Sequence, residues 1–196
     1  MGRPRWSMVI VPAMAVLASG CHYDQHPWPK PGQAPATTLE NQLSQRDSLQ
    51  DAANDLVEVA AAIREAVQRA YPAAKWTTTS NGGQSGCPPP FTFLSGSIYQ
   101  LPNWQSPAPA SPAGAHAVVS AAAEVLKAHG VDKIDRHTGR SVSGPLPRDH
   151  GTLEFAIRTP VGSNPSDMVV SGATGCHHVA SGPGPWNTSS TPTPTR

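Results

Sequence analysis

Charge is scarce in this chain. Only 14% of its 196 residues are Asp, Glu, Lys or Arg, and the formal net charge is +1, where a globular domain usually carries about a quarter charged residues. No Lys/Arg cluster offers phosphates a footing, which excludes a nucleic-acid partner bound by charge neutralisation. Long hydrophobic runs are also missing. The longest, Met8 to Ala18, is eleven residues interrupted by Pro12, and a span of the bilayer needs about 20, so a polytopic membrane protein is excluded. There is no CxxC pair, no GxSxG turn and no glycine-rich phosphate loop between a strand and a helix. Proline, by contrast, is abundant: 22 residues, about twice the usual ~5%. One modest folded core with proline-rich flanks fits that balance.

The first twenty residues read as an address. Arg3 and Arg5 open it, the apolar run follows, and Leu17-Ala18-Ser19-Gly20-Cys21 closes it. A positive start and an apolar stretch this short make a signal peptide. Small residues pass the narrow site of a signal peptidase. The thiol of Cys21 is then the atom that takes a diacylglyceryl group, and cleavage frees its amine for a further acyl chain. Residues 1–20 are expected to be removed, and Cys21 to become the S-diacylglyceryl, N-acyl first residue. Loss of Arg3 and Arg5 lowers the formal net charge from +1 to −1, leaving no electrostatic grip on anionic lipid.

With Cys21 assigned to lipid, Cys87 and Cys176 remain. An even pair in an exported chain is expected to form a disulfide. Residues 21–36, with the proline-rich HYDQHPWPKPGQAPA, read as an extended tether. Residues 181–196, rich in Pro, Ser and Thr, read as a disordered tail. The folded domain is expected at 37–180.

Within it, Thr37/Glu40 and Ser48/Asp51 have capping-box spacing. A short helix is predicted near 38–46 and a long one over 49–70. On the latter, Leu49, Ala53, Leu56, Ala60, Ile63, Val67 and Ala70 form one apolar stripe. The stripe lasts only about three heptads and is alanine-rich, so packing on a sheet is expected rather than a coiled coil. Ser111-Pro112 announces a helix ending near His129, with Gly130 as its stop. Strands are predicted at 76–79, 91–101, 131–135, 153–158, 168–174 and 176–179, and loops at 140–151 and 159–167. The expected class is α+β, with two helices on one face of a mainly antiparallel sheet.

The lipobox, the Pro/Trp-containing tether and the long first helix come in an order that resembles a known family. So do Gly-Cys before a strand, a helix ending in His-Gly, and a late Gly-Cys followed by a Pro/Thr tail. The family is the mycobacterial conserved lipoproteins of the LppA/LppV type. The resemblance implies a place on the outer face of the cell membrane and carries over one site residue, Cys21. It implies no ligand, cofactor or catalytic residue.

Candidate chemistry is thin. Cys176-His177-His178, with His137 and His150, suggests zinc, but adjacent strand residues point to opposite faces and Cys176 has Cys87 to pair with. Asp149-His150 supplies an acid and a base without a nucleophile. Ser95-Gly96-Ser97 and Ser171-Gly172 lie in strand-like segments, where glycine marks a bulge or close approach. Trp28 and Trp186 fall in the flanks. Trp104 falls in what reads as a long irregular loop, a candidate binding loop or one anchoring ring. No cofactor, metal or catalytic residue is expected. The expected function is a non-enzymatic binding or interaction module with an unidentified protein or small-molecule ligand, held to the membrane by its lipid. The alternatives are a small-molecule or lipid carrier with an apolar pocket, and an envelope hydrolase using His150 or His177/His178.

Several acyl chains on one residue, each contributing roughly 0.8 kcal/mol per buried CH₂, make an anchor that does not dissociate readily. Cys21→Ser is therefore expected to abolish the lipid mass on the mature chain and to move the protein out of the membrane fraction. Intact-mass spectrometry and fractionation measure both.

Overall fold

The computed structural model describes residues 35–137, 139–158 and 166–180. Cys21, the predicted signal peptide, almost all of the tether, the tail with Trp186, and most of the 159–167 loop lie outside the described residues.

Three helices and nine strands follow one another. They are α1 (Ala36–Ser44), α2 (Leu49–Ala70), β1 (Thr77–Thr78), β2 (Gly83–Gly86), β3 (Gly96–Gln100), β4 (Trp104–Pro107), α3 (Pro112–Ala128), β5 (Asp135–His137), β6 (Ser141–Pro145), β7 (Thr152–Arg158), β8 (Asp167–Ala173) and β9 (His177–His178).

The long helix starts where its chemistry says. Ser48 Oγ accepts from the Asp51 backbone N–H and donates to Asp51 Oδ2, so an otherwise orphaned donor of the first turn is satisfied. Leu49, Ala53, Leu56, Ala60, Ile63 and Val67 are all fully buried, and only Ala70 of the predicted stripe is exposed. At the start of α1 the capping expectation fails. Pro35 occupies the cap position, no side chain caps the helix, and Thr37 lies inside it. In α3, Ser111 Oγ accepts from the Gly114 N–H, with Pro112 in the first turn. Its far end closes when Gly130, at φ +78°, donates to Lys127 O while Val131 donates to Leu126 O. That pairing needs the left-handed conformation glycine adopts without strain.

The sheet runs β1-β4-β8-β7-β6-β5, with every ladder antiparallel. β3 continues along the β8 edge through Gln100 and Ala173, and also pairs with β2 and β9. Both long helices lie on one face. In β7 the period-2 pattern buries Leu153, Phe155 and Ile157. These join Val142, Met168 and Val170 from the sheet, Leu56 and Ile63 from α2, and Val118 and Leu126 from α3 in one core.

Several strand expectations are corrected. The predicted loop at 140–151 contains β6, where Val142 alone supplies the apolar signal and pairs opposite Phe155. Its Gly and Pro residues read as turn punctuation. The predicted loop around Trp104 holds β4, paired with β8 in the register Trp104↔Val170. β2 has no buried residue and no apolar residue in its sequence, so hydrophobic patterning could not reveal it. The predicted strand 91–101 is ordered as a strand only from Gly96. Turn bonds from Phe91 N to Pro88 O and Leu94 N to Phe91 O occupy its first half.

Beside the main core sits a second, smaller one of Leu39, Leu43, Cys87, Phe91 and Cys176. Cys87 and Cys176 are bonded, their Cα atoms 5.5 Å apart. A Cβ on Gly96 would stand 2.7 Å from Cys176 Sγ and 2.9 Å from Cys87 Sγ, so the bond packs directly on bare backbone at the start of β3. This bond joins residues 89 apart in sequence, a loop for which the chain-entropy model gives about 4–5 kcal/mol. The Cys87→Ala/Cys176→Ala variant is expected to lose stability of that order in urea unfolding at pH 7.

Candidate functional site

The titratable groups singled out in the sequence are spread over several elements, and only His150 and His177 come together. His137 lies on β5, at the edge of the sheet. His177 and His178 point to opposite faces, the first fully buried and the second half-buried with Nδ1 unpartnered. Ser97 lies in β3, where its Oγ accepts from Gln84 Nε2, and Ser171 lies in β8. Asp149 does not orient His150. Its carboxylate is paired with Arg46 at 2.5 Å.

What does come together is a knot of charge linking four segments. His150, 2% exposed, has Nδ1 2.6 Å from Asp55 Oδ2 and Nε2 2.7 Å from Asp47 Oδ2. His177, its ring centroid 5.8 Å from that of His150, has Nδ1 2.9 Å from the Asp47 carbonyl and Nε2 2.9 Å from the Asp149 carbonyl. Arg148 covers the outside, 3.4 Å from Asp47 and 3.6 Å from Asp55. Arg46 donates to the Cys176 carbonyl at 2.8 Å and stacks over Phe91. The turn that supplies Arg148, Asp149 and His150 is strained: Arg148 has φ 55° and Asp149 φ 61°. Non-glycine residues there cost about 1–3 kcal/mol each, which the ion pairs and buried bonds offset.

The Asp47 carboxyl is held below its ordinary range. The hydrogen bond from His150 is the main cause, desolvation opposes it, and the charges of Arg148, His150 and His177 add to it. All four ring nitrogens are committed to oxygen atoms, and neither ring is open to solvent. This arrangement binds segments together and presents no base to a substrate. Among the described residues no group of three or more His, Cys, Asp and Glu is placed to hold a metal ion.

A second arrangement, which sequence reasoning missed, lies on the other side of α2. Arg64 sits with its guanidinium 4.2 Å from the centre of the Trp104 ring, a stacking that favours a desolvated cation. Burial pushes its pKa below the ordinary value, with the charge of Glu65 opposing. Among the described residues no carboxylate lies within ion-pair distance of it. Arg64 Nε and Trp76 Nε1 are both buried and without an acceptor. Both residues line a cleft of about 470 Å³, with Ala61, Glu65, Gln68 and Arg69. Gln68 donates to Pro72 O, and Glu65 reaches Arg69 only at 4.0 Å. A larger cleft of about 600 Å³ opens at the start of α3, but it borders undescribed residues. Three residues separated along the chain make the Arg64 site. Its one sequence signal is an arginine beside Ile63 and Val67 on the flank of an apolar stripe.

A family model described as LppA, lipoprotein confined to pathogenic Mycobacterium, matches residues 24–178. No curated protein matches the chain, and no solved structure does.

A carboxylate whose folded pKa is depressed contributes stability that is complete above its unfolded pKa, about 3.9, and is lost as the pH falls through the lower folded value. Asp47→Asn is therefore expected to be less stable than wild type at pH 6, and the gap to narrow below pH 4. Urea unfolding at pH 6, 4 and 3 measures it.

Proposed function

Because the chain belongs to the LppA family of lipoproteins, we propose that it is a ligand-binding module anchored by lipid on Cys21 to the extracytoplasmic face of the cell membrane, and that it performs no chemistry of its own. The lipobox ending in Cys21 supports the anchor. No helix among the described residues is long and apolar enough to cross a membrane. Export fits the Cys87–Cys176 bond, since such bonds persist outside the reducing cytosol.

The observation that carries the binding reading is the Arg64 cleft. A half-buried cation stacked on Trp104, with two buried donors that meet no acceptor among the described residues, calls for an oxygen-bearing ligand. Its best complement is a carboxylate or phosphate, held by the guanidinium while an attached ring or chain lies along Trp76. The carrier alternative would need a cavity of several hundred Å³ between helices and sheet, where Leu56, Ile63, Leu126, Phe155 and Met168 are packed. The hydrolase alternative would need a free nitrogen on His150, His177 or His178; those of His150 and His177 are engaged, and His178 alone of the three keeps an unpartnered Nδ1.

Thermal-shift titration with carboxylate, phosphate and neutral-sugar panels tests the reading. An anionic ligand at a hundred times its Kd is expected to stabilise wild type by about 2.7 kcal/mol, and Arg64→Ala to lose that response. A stabilisation that Arg64→Ala retains would place the ligand elsewhere.

A further inference from the structure

The described residues include two exposed large hydrophobic side chains, Phe93 at 73% and Val179 at 43%. They share one corner of the fold. The β3–β9 ladder ends with Gly96 opposite His178, so Val179 directly follows its end on one strand and Phe93 lies three residues before its end on the other. Pro88, Pro89, Pro90 and Thr92 beside it are also exposed. From Trp76 to Ala123 the sequence contains no Asp, Glu, Lys or Arg. Arg46, which stacks over the adjoining Phe91, is tied to Asp149 as well. A surface that is apolar and uncharged at its tip suits the boundary between lipid headgroups and acyl chains, where charge is costly.

The same corner carries the start of the described chain. Pro35 leads into α1, whose Leu39 and Leu43 pack on Cys87, Phe91 and Cys176, with Leu94 and Ile98 at the edge of that cluster. Pro35 comes fourteen positions after Cys21, a reach of at most about 43 Å at polyproline pitch. A lipid on Cys21 would thus lead into the domain at this corner, and not at the β5 edge on the other side of the sheet. Once the chain is anchored, a second contact is intramolecular and a weak one suffices. Burying one phenyl ring shifts a partition constant by roughly ten- to a hundredfold.

We propose that the Phe93–Val179 corner rests in the interfacial layer of the membrane that holds Cys21, fixing which way the domain faces. This rests on the lipid-anchor reading. In such an orientation β5 lies away from the bilayer.

The full lipidated protein tests it. Cys21 carries lipid and Cys87 and Cys176 are bonded, so Phe93→Cys, Val179→Cys and Lys133→Cys each introduce one free thiol for an environment-sensitive fluorophore. Lys133 is exposed and precedes β5. In phosphatidylglycerol–phosphatidylethanolamine vesicles, the labels at 93 and 179 are expected to shift to the blue and to lose most of their emission when the acyl chains are brominated. The label at 133 is expected to stay in water. If the protein sediments with the vesicles but all three labels report water, the corner does not touch the membrane and the inference fails while the anchor stands. If it does not sediment, the anchor reading fails and this inference with it. A blue shift at 93 that grows with protein concentration without vesicles would assign the corner to a second copy and overturn the proposal.

Discussion

Two buried imidazoles hold this fold in register. Their four ring nitrogens face four oxygen atoms at 2.6–2.9 Å, and those atoms belong to the α1–α2 connection, to α2 and to the β6–β7 turn. Buried polar groups left unpaired are expensive, so none of these segments can drift without exposing a donor or an acceptor that nothing else serves. The left-handed turn at Arg148 and Asp149 is held there by the same account. The position of β9 follows too, since His177 is one of its two residues and is fully buried.

The disulfide extends that constraint to the small second core. Cys176 precedes His177, and its carbonyl accepts from Arg46, whose guanidinium also meets Asp149 and Phe91. One arginine therefore couples the covalent bond to the charge knot. α1 is seated on this junction through Leu39 and Leu43, so the first described element rests by apolar contacts on a corner that is itself joined by covalent and ionic bonds.

The polar network and the Arg64 cleft play opposite parts. In the first, the buried hydrogen-bonding atoms of both rings meet partners, the polar atoms are accounted for, and the rings are withdrawn from solvent. In the second, a desolvated guanidinium and an indole N–H are left without acceptors beside open space. Satisfied networks rigidify, whereas unsatisfied donors at a cleft are where a ligand's oxygen atoms contribute most. Histidine and carboxylate catch the eye in a sequence, but here they do structural work, while Arg64 and Trp76 keep buried donors that meet no acceptor among the described residues.

What the sequence determined by itself was local or chemical in origin. The cap at Ser48, the stop at Gly130, the buried stripe from Leu49 to Val67 and the alternation in β7 are each decided by neighbours within a few residues. The α+β class follows from their order. Tertiary structure alone decided the rest. Strands β2 and β6 are stabilised by ladder hydrogen bonds to partners, and little or nothing in their own side chains announces them. Trp104 sits in a strand because β8 offers a register for it. His150 meets Asp47 and Asp55 from about a hundred positions away. Arg64 finds Trp104 across the edge between helix and sheet. Such pairs depend on how far apart folded elements come to rest, a distance that packing sets and that no spacing in the sequence encodes.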